Sequence, residues 1–107
     1  MFTDFTQMPV WKNAMEIAIE VYDISESLPR REDYALTSQI RRSAESISAN
    51  ISEGFGRSGD KEKSQFYKIA RGSANETKSH LLYGSRVHYF DVQKNGKRNF
   101  NAGFSNF

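Results

Sequence analysis

Cysteine is absent from the chain, which excludes a disulfide framework, a thiol nucleophile and a cysteine-ligated zinc. Long apolar runs are absent too. No stretch approaches the 18 or so consecutive apolar residues that a membrane span needs, and Met1 to Gln7 has neither the basic start nor the apolar run of a secretory signal. A cytoplasmic protein with no membrane association is expected. The two sequons, Asn50-Ile51-Ser52 and Asn75-Glu76-Thr77, are then expected to stay unmodified. Only 107 residues are present, 37% of them hydrophobic, enough for one modest core and too few for a multidomain enzyme.

What is abundant is helical periodicity. Val10, Ala14, Ile17, Val21, Ile24 and Leu28 follow at intervals of four and three, predicting a first helix over about 9–28, stopped by Pro29. Trp11, Met15, Ala18 and Tyr22 form a second apolar stripe beside it, so two neighbouring surfaces ask to be covered. Leu36, Ile40, Ala44, Ile47 and Ile51 predict a second helix over about 34–54. Gln39, Ser43, Ser46 and Asn50 run alongside as a small polar stripe, read either as a close helix contact with hydrogen bonds across it or as a ligand-binding strip. A third helix over about 60–88 turns Phe66, Ile69, Ala70, Ser73, Thr77, Leu81 and Gly84 inward, with Ser58 or Asp60 as its cap.

These elements define a domain over 1–90. From Asp91 the chain is rich in Asn and Gly with isolated phenylalanines, and residues 91–107 are expected to be a flexible tail or a poorly packed extended segment.

Gly54-Phe55-Gly56-Arg57-Ser58-Gly59 spells G-x-G-x-x-G, but a dinucleotide fingerprint needs a strand before the glycines and a helix after them. Helical periodicity precedes this one. It is not a P-loop either, because Asp60 separates Gly59 from Lys61 and no Ser or Thr follows the lysine. The glycines are expected to end the second helix, adopt left-handed angles and fold the third back antiparallel.

Net charge is +2, unevenly distributed: residues 1–28 carry one base against five acids, and residues 29–107 carry 14 bases against eight acids. At 100° per residue, Lys61, Lys68, Arg71, Lys78 and Arg86 share one outward arc of the third helix, a stripe about 37 Å long. Arg41, Arg42 and Arg57 are candidates to extend it. Such a stripe can follow phosphates of a nucleic acid, or it can be a solvated face with no partner. A protein partner competes for the same charges: Glu16, Glu20 and Asp23 form an acidic ridge on the first helix that a neighbouring subunit's basic stripe would fit. Trp11 and Tyr22 serve either the core of one chain or a contact between subunits.

An enzymatic reading finds little to stand on. His80 and His88 are too far apart in sequence to share a metal across one helical turn, and Glu53 has no second carboxylate or nucleophile set against it. Neither cofactor, metal nor small-molecule substrate is expected. Glu53 is expected to pair with Arg57 or tie the loop.

Gln39-Ile40-Arg41-Arg42, Ser46-Ile47, Asn50-Ile51-Ser52-Glu53-Gly54 and Ile69-Ala70-Arg71-Gly72-Ser73 with Glu76, joined by Trp11-Lys12, Ala14 and Leu28-Pro29, resemble a family over about residues 9–80. The family is the four-helix bundle proteins encoded in intervening sequences of bacterial 23S ribosomal RNA genes. The resemblance implies a left-handed antiparallel bundle, a ring-like homopentamer and no established catalytic activity. Accessory proteins of diversity-generating retroelements, relatives of that family, associate as basic pentamers with nucleic acid and a reverse transcriptase. This chain departs from the pattern in its serines at 43, 48 and 52, in Thr77 where leucine is usual, and in leaving it after about Leu82, with the fourth helix missing. The expectation is therefore an all-α, antiparallel up-down bundle of three clear helices. Its function would be that of a non-catalytic oligomeric scaffold whose basic face binds structured RNA or a ribonucleoprotein. The alternative is a protein-interaction module whose charged ridges serve only self-assembly or a protein partner.

Overall fold

Three helices carry the periodic segments in the computed structural model, which describes residues 1–90, 103–105 and 107: α1 (Pro9–Ser25), α2 (Leu36–Phe55) and α3 (Asp60–Arg86). Single 3-10 turns at Phe5–Gln7 and Arg30–Glu32 precede α1 and α2, and the described residues contain no strand. The helices run antiparallel, and α2 is the middle one, packing directly on both α1 and α3. Its apolar seam is buried throughout: Ile40, Ala44 and Ile47 have no exposed surface, and Leu36 and Ile51 nearly none. Ala14, Ile17, Val21 and Ile24 face it from α1; Ala70, Ala74 and Leu81 face it from α3. The all-α antiparallel architecture expected from the periodicity is the one observed.

The ends differ from expectation for identifiable reasons. Helix α1 stops at Ser25 rather than Leu28 because side chains take its last carbonyls. Ser25 Oγ donates to the Tyr22 carbonyl at 3.0 Å, Ser27 Oγ to Ile24 at 2.9 Å, and Arg41 Nη2 reaches Tyr22 at 3.4 Å. Leu28 stays buried beyond the helix, held by a 3.1 Å bond from its N–H to the Ser25 carbonyl. Helix α2 starts at Leu36, whose N–H donates to Glu32 Oε1 at 3.3 Å, while Tyr34 lies fully exposed before it.

The glycine loop requires a correction. Gly54 does not end α2, which continues through Phe55 to a cap at Gly56, and no described glycine has a positive φ. Lys63 Nζ instead satisfies the terminal Gly54 and Phe55 carbonyls at 3.3 and 2.9 Å, a cation at the negative end of the helix. Neither Ser58 nor Asp60 caps α3. Gly59 occupies that position without a side-chain bond, and Asp60 and Glu62 favour the first turn through their charge.

The one left-handed residue among those described is His88, φ 65°. It follows α3, where the Tyr89 N–H reaches back to the Gly84 carbonyl at 2.9 Å and the His88 N–H to Ser85 at 3.1 Å. This paired closure favours glycine, because a Cβ is strained in the left-handed region. Replacing His88 by glycine is expected to stabilise the protein by about 1 kcal/mol, read as a rise of several degrees in melting temperature; an unchanged or lower melting temperature would contradict it. The closure returns the chain over α3, burying Phe90 on Gly84. Tyr89 Oη donates to Glu32 Oε2 at 2.6 Å, tying the end of α3 to the α1–α2 connection. That bond, and after it the one from Leu36, holds the Glu32 carboxyl below its ordinary pKa; the bond to Glu32, with burial, raises that of Tyr89.

Two expectations about interior polarity resolve differently. The Ser43, Ser46 and Asn50 stripe is a helix contact. The Thr77 hydroxyl donates to Ser43 Oγ at 2.8 Å, Ser43 to the Ile40 carbonyl at 3.2 Å, Ser46 meets Ser73 at 3.0 Å, and Asn50 folds back onto the Ser46 carbonyl at 2.8 Å. Gln39 alone of that stripe is exposed. Ile69, expected inward, is 46% exposed, because the inward arc of α3 is only as wide as Ala70, Ala74, Thr77, Leu81 and Gly84 make it.

Of the segment 91–107, expected to be irregular, most lies outside the described residues. The described part returns to the bundle: Gly103 and Phe104 are buried, and Asn13 Nδ2 on α1 donates to the Gly103 carbonyl at 2.8 Å.

Candidate nucleic-acid interface

Helix α3 is 27 residues long and buries only one narrow arc, so its charged residues must lie outside. Lys61, Lys68, Arg71 and Arg86 are exposed and Lys78 is half-buried, all within the 100° sector opposite the seam. None of the five forms an ion pair among the described residues. Asp60, in the first turn, stands at the edge of the same arc, whereas Glu76 lies off it and meets His80 at 3.4 Å.

The other three candidate cations are used differently. Arg41 is turned across the bundle: its Nε donates to Ser25 Oγ at 2.7 Å, its guanidinium lies 4.3 Å from the Tyr22 ring centroid, and Glu26 is 3.6 Å away. It closes the C-terminal end of α1, so its charge is committed within the chain. Arg57 pairs with Glu53 at 2.8 Å and lies over the Phe66 ring at 4.8 Å. Glu53 thus ties the loop, as its position in the last turn of α2 implies. Arg42 is exposed and borders a shallow depression of about 520 Å³ between α1 and α2, with Ile19 and Tyr22 on its other side. Lys63, two residues from Lys61 and so on the other side of the helix, points inward to cap α2; its place on the seam side of the helical wheel is the signal that separates it from the stripe.

On α1, Glu16 and Asp23 are exposed and Glu20 half-buried, and Glu16 and Glu20 each already take part in an interaction within the chain. Trp11 is half-buried against the core, edge-on to Phe5 with ring centroids 5.3 Å apart. Tyr22 is 53% exposed and Ile19 54%, so this flank of α1 leaves apolar surface uncovered.

A larger opening lies between the start of α1 and the first half of α3, above the C-terminal half of α2. This groove of about 590 Å³ has Met8, Val10, Ile51, Tyr67 and Ala70 for its apolar walls, and Lys68 and Arg71 stand at its lip. Periodicity did not reveal it, because it exists only where α1 and α3 splay over α2. No cluster of three or more metal-ligating side chains occurs among the described residues, and no described helix is long and apolar enough to cross a membrane.

The model of the 23S rRNA-intervening sequence protein family matches residues 6–101, past the Leu82 at which the motif resemblance ends. Comparison with curated proteins gives no match.

Proposed function

Because the chain belongs to the 23S rRNA-intervening sequence protein family, we propose that it is a non-catalytic cytoplasmic scaffold that self-associates and presents α3 to structured RNA or a ribonucleoprotein. The observation that carries the reading is the row of cations Lys61, Lys68, Arg71, Lys78 and Arg86, none of them ion-paired among the described residues, along one side of a single 27-residue helix. A rigid rod with cations at successive turns meets phosphates at fixed separations, and each neutralised phosphate releases counterions. The arc itself carries no aromatic residue, and Tyr83 alone is exposed beside it, so recognition rests mainly on backbone shape rather than on stacking of unpaired bases. Arg42 is a further contact in this scheme, whereas Arg41 and Arg57 contribute through the field they add while held in place.

Self-association would use the exposed flank of α1, with Tyr22 and Ile19 as apolar contacts and the Glu16, Glu20 and Asp23 ridge facing a neighbour's cations. The family resemblance implies a ring of five. That same flank supports a second reading, in which the charged ridges serve assembly or a protein partner alone.

The Lys68→Glu, Arg71→Glu double variant separates the two. Its mass by light scattering is expected to equal that of the wild type, while its affinity for an RNA hairpin falls at least tenfold and the slope of log affinity against log salt shrinks by about 2. Unchanged affinity at unchanged mass would eliminate the RNA reading. Dissociation of the assembly would identify the stripe as an assembly surface.

A further inference from the structure

The groove between α1 and α3 already shows what it accepts. The N–H of Phe107 donates to the Phe104 carbonyl at 3.1 Å, closing one helical turn, and this turn sets two rings on the bundle. Phe104 is buried in the core and Phe107 lies half-buried on the groove wall. A side-chain bond from Asn13 to the Gly103 carbonyl holds the backbone. Even with Phe107 against it, the groove keeps about 590 Å³ open, within the range of ligand-binding clefts. Its charge is one-sided at the rim: Lys68 and Arg71 are exposed there, Lys63 stands behind them, and among the described residues Asp60 is the one acid lining it.

We propose that this groove is a docking site for an acidic Phe-x-x-Phe segment of another protein, and that the chain's own Phe104 and Phe107, linked by their backbone bond, are an intramolecular occupant that such a segment displaces. The apolar walls and the spacing of the two rings give the aromatic part, a helix-in-groove mode in which residues one turn apart anchor together. The cationic lip gives the acidic part through charge complementarity, which the chain's own turn, with no acidic side chain in it, does not exploit. The seated turn makes one intramolecular competitor, so an external segment binds with an affinity reduced by the fraction of time the site is closed. This use of the groove is independent of RNA binding, although Lys68 and Arg71 would be shared.

The test uses the full chain and a fluorescein-labelled peptide EEFSNFEE, with EEASNAEE and KKFSNFKK as controls, read by fluorescence anisotropy. Two variants open the site: the Phe104→Ala, Phe107→Ala double variant, and Asn13→Ala, which keeps both rings and removes the bond to the Gly103 carbonyl. EEFSNFEE is expected to bind the double variant at least tenfold tighter, and Asn13→Ala about threefold tighter, than the wild type; added salt should weaken binding, and EEASNAEE should not bind. If circular dichroism shows the double variant unfolded, Asn13→Ala decides alone. Equal affinity of wild type and opened variants overturns the proposal, as does equal binding of EEASNAEE or KKFSNFKK. An RNA hairpin that gains tenfold affinity for the opened variants while EEFSNFEE does not would assign the groove to nucleic acid and overturn it as well.

Discussion

Ile47→Ala is expected to destabilise the protein by about 2–5 kcal/mol, the range for truncating a large aliphatic side chain in a core. Ile47 is fully buried at the centre of α2, the helix that touches both others. Its surroundings cannot collapse into the space left behind. The seam around it is built from small residues, Ala44, Ser43 and Ser48 on α2 with Ala74 and Thr77 on α3, which have no long side chain to swing inward. Several are also fixed by the Thr77, Ser43 and Ile40 hydrogen-bond chain. A domain of this size has about 5–15 kcal/mol in total, so the single change removes a large share. Urea denaturation measures it: the midpoint should fall with the slope unchanged. A loss under about 1 kcal/mol would mean that the core repacks around the cavity, contrary to the account of a small-residue seam.

The second expected result pairs two identical substitutions with opposite signs. Gly54→Ala should cost about 1–3 kcal/mol, the usual penalty for overpacking. A Cβ there would stand 3.2 Å from Phe66 Cβ and 2.7 Å from Tyr67 Cε1. The Tyr67 ring can rotate, but Phe66 Cβ moves only with the α3 backbone, so the two helices must separate where the hairpin is tightest. Gly72→Ala, by contrast, meets nothing within 4 Å and lies on the exposed side of α3. It should stabilise by about 0.5–1 kcal/mol through helix propensity alone. Thermal melts of both proteins check the pair. Stabilisation by Gly54→Ala would show that the glycine there serves the loop's flexibility rather than a close approach.

That contrast also shows where sequence reasoning reached its limit. Gly54 and Gly72 look alike in the chain, and the G-x-G-x-x-G spelling draws attention to the loop instead of to the helix contact. The fingerprint reading failed for a reason visible in the periodicity, since a helix and not a strand precedes the glycines. The role of Gly54 was not visible, because it depends on Phe66 and Tyr67 arriving from the next helix. Arg41 illustrates the same limit for charge. Its sequence position beside Arg42 makes the two look equivalent, yet one is spent closing α1 and the other faces solvent. Lys63 and Lys68 divide in the same way on α3, though there the 100° step separates them in advance.

The amino-acid order by itself determined the three helices, their antiparallel succession, the buried seam of α2 and the outward row of cations on α3. All of these follow from periodicities within one element, where neighbours three and four residues apart share a face. Only the tertiary structure decided which cations are free, which glycine is a contact, and that a groove opens between α1 and α3 with Phe107 on its wall. These depend on partners distant in the chain, 57 residues for Glu32 with Tyr89 and 90 for Asn13 with Gly103. Pairings of that kind carry no local period, because they are set by how whole helices splay and dock once their seams have been satisfied.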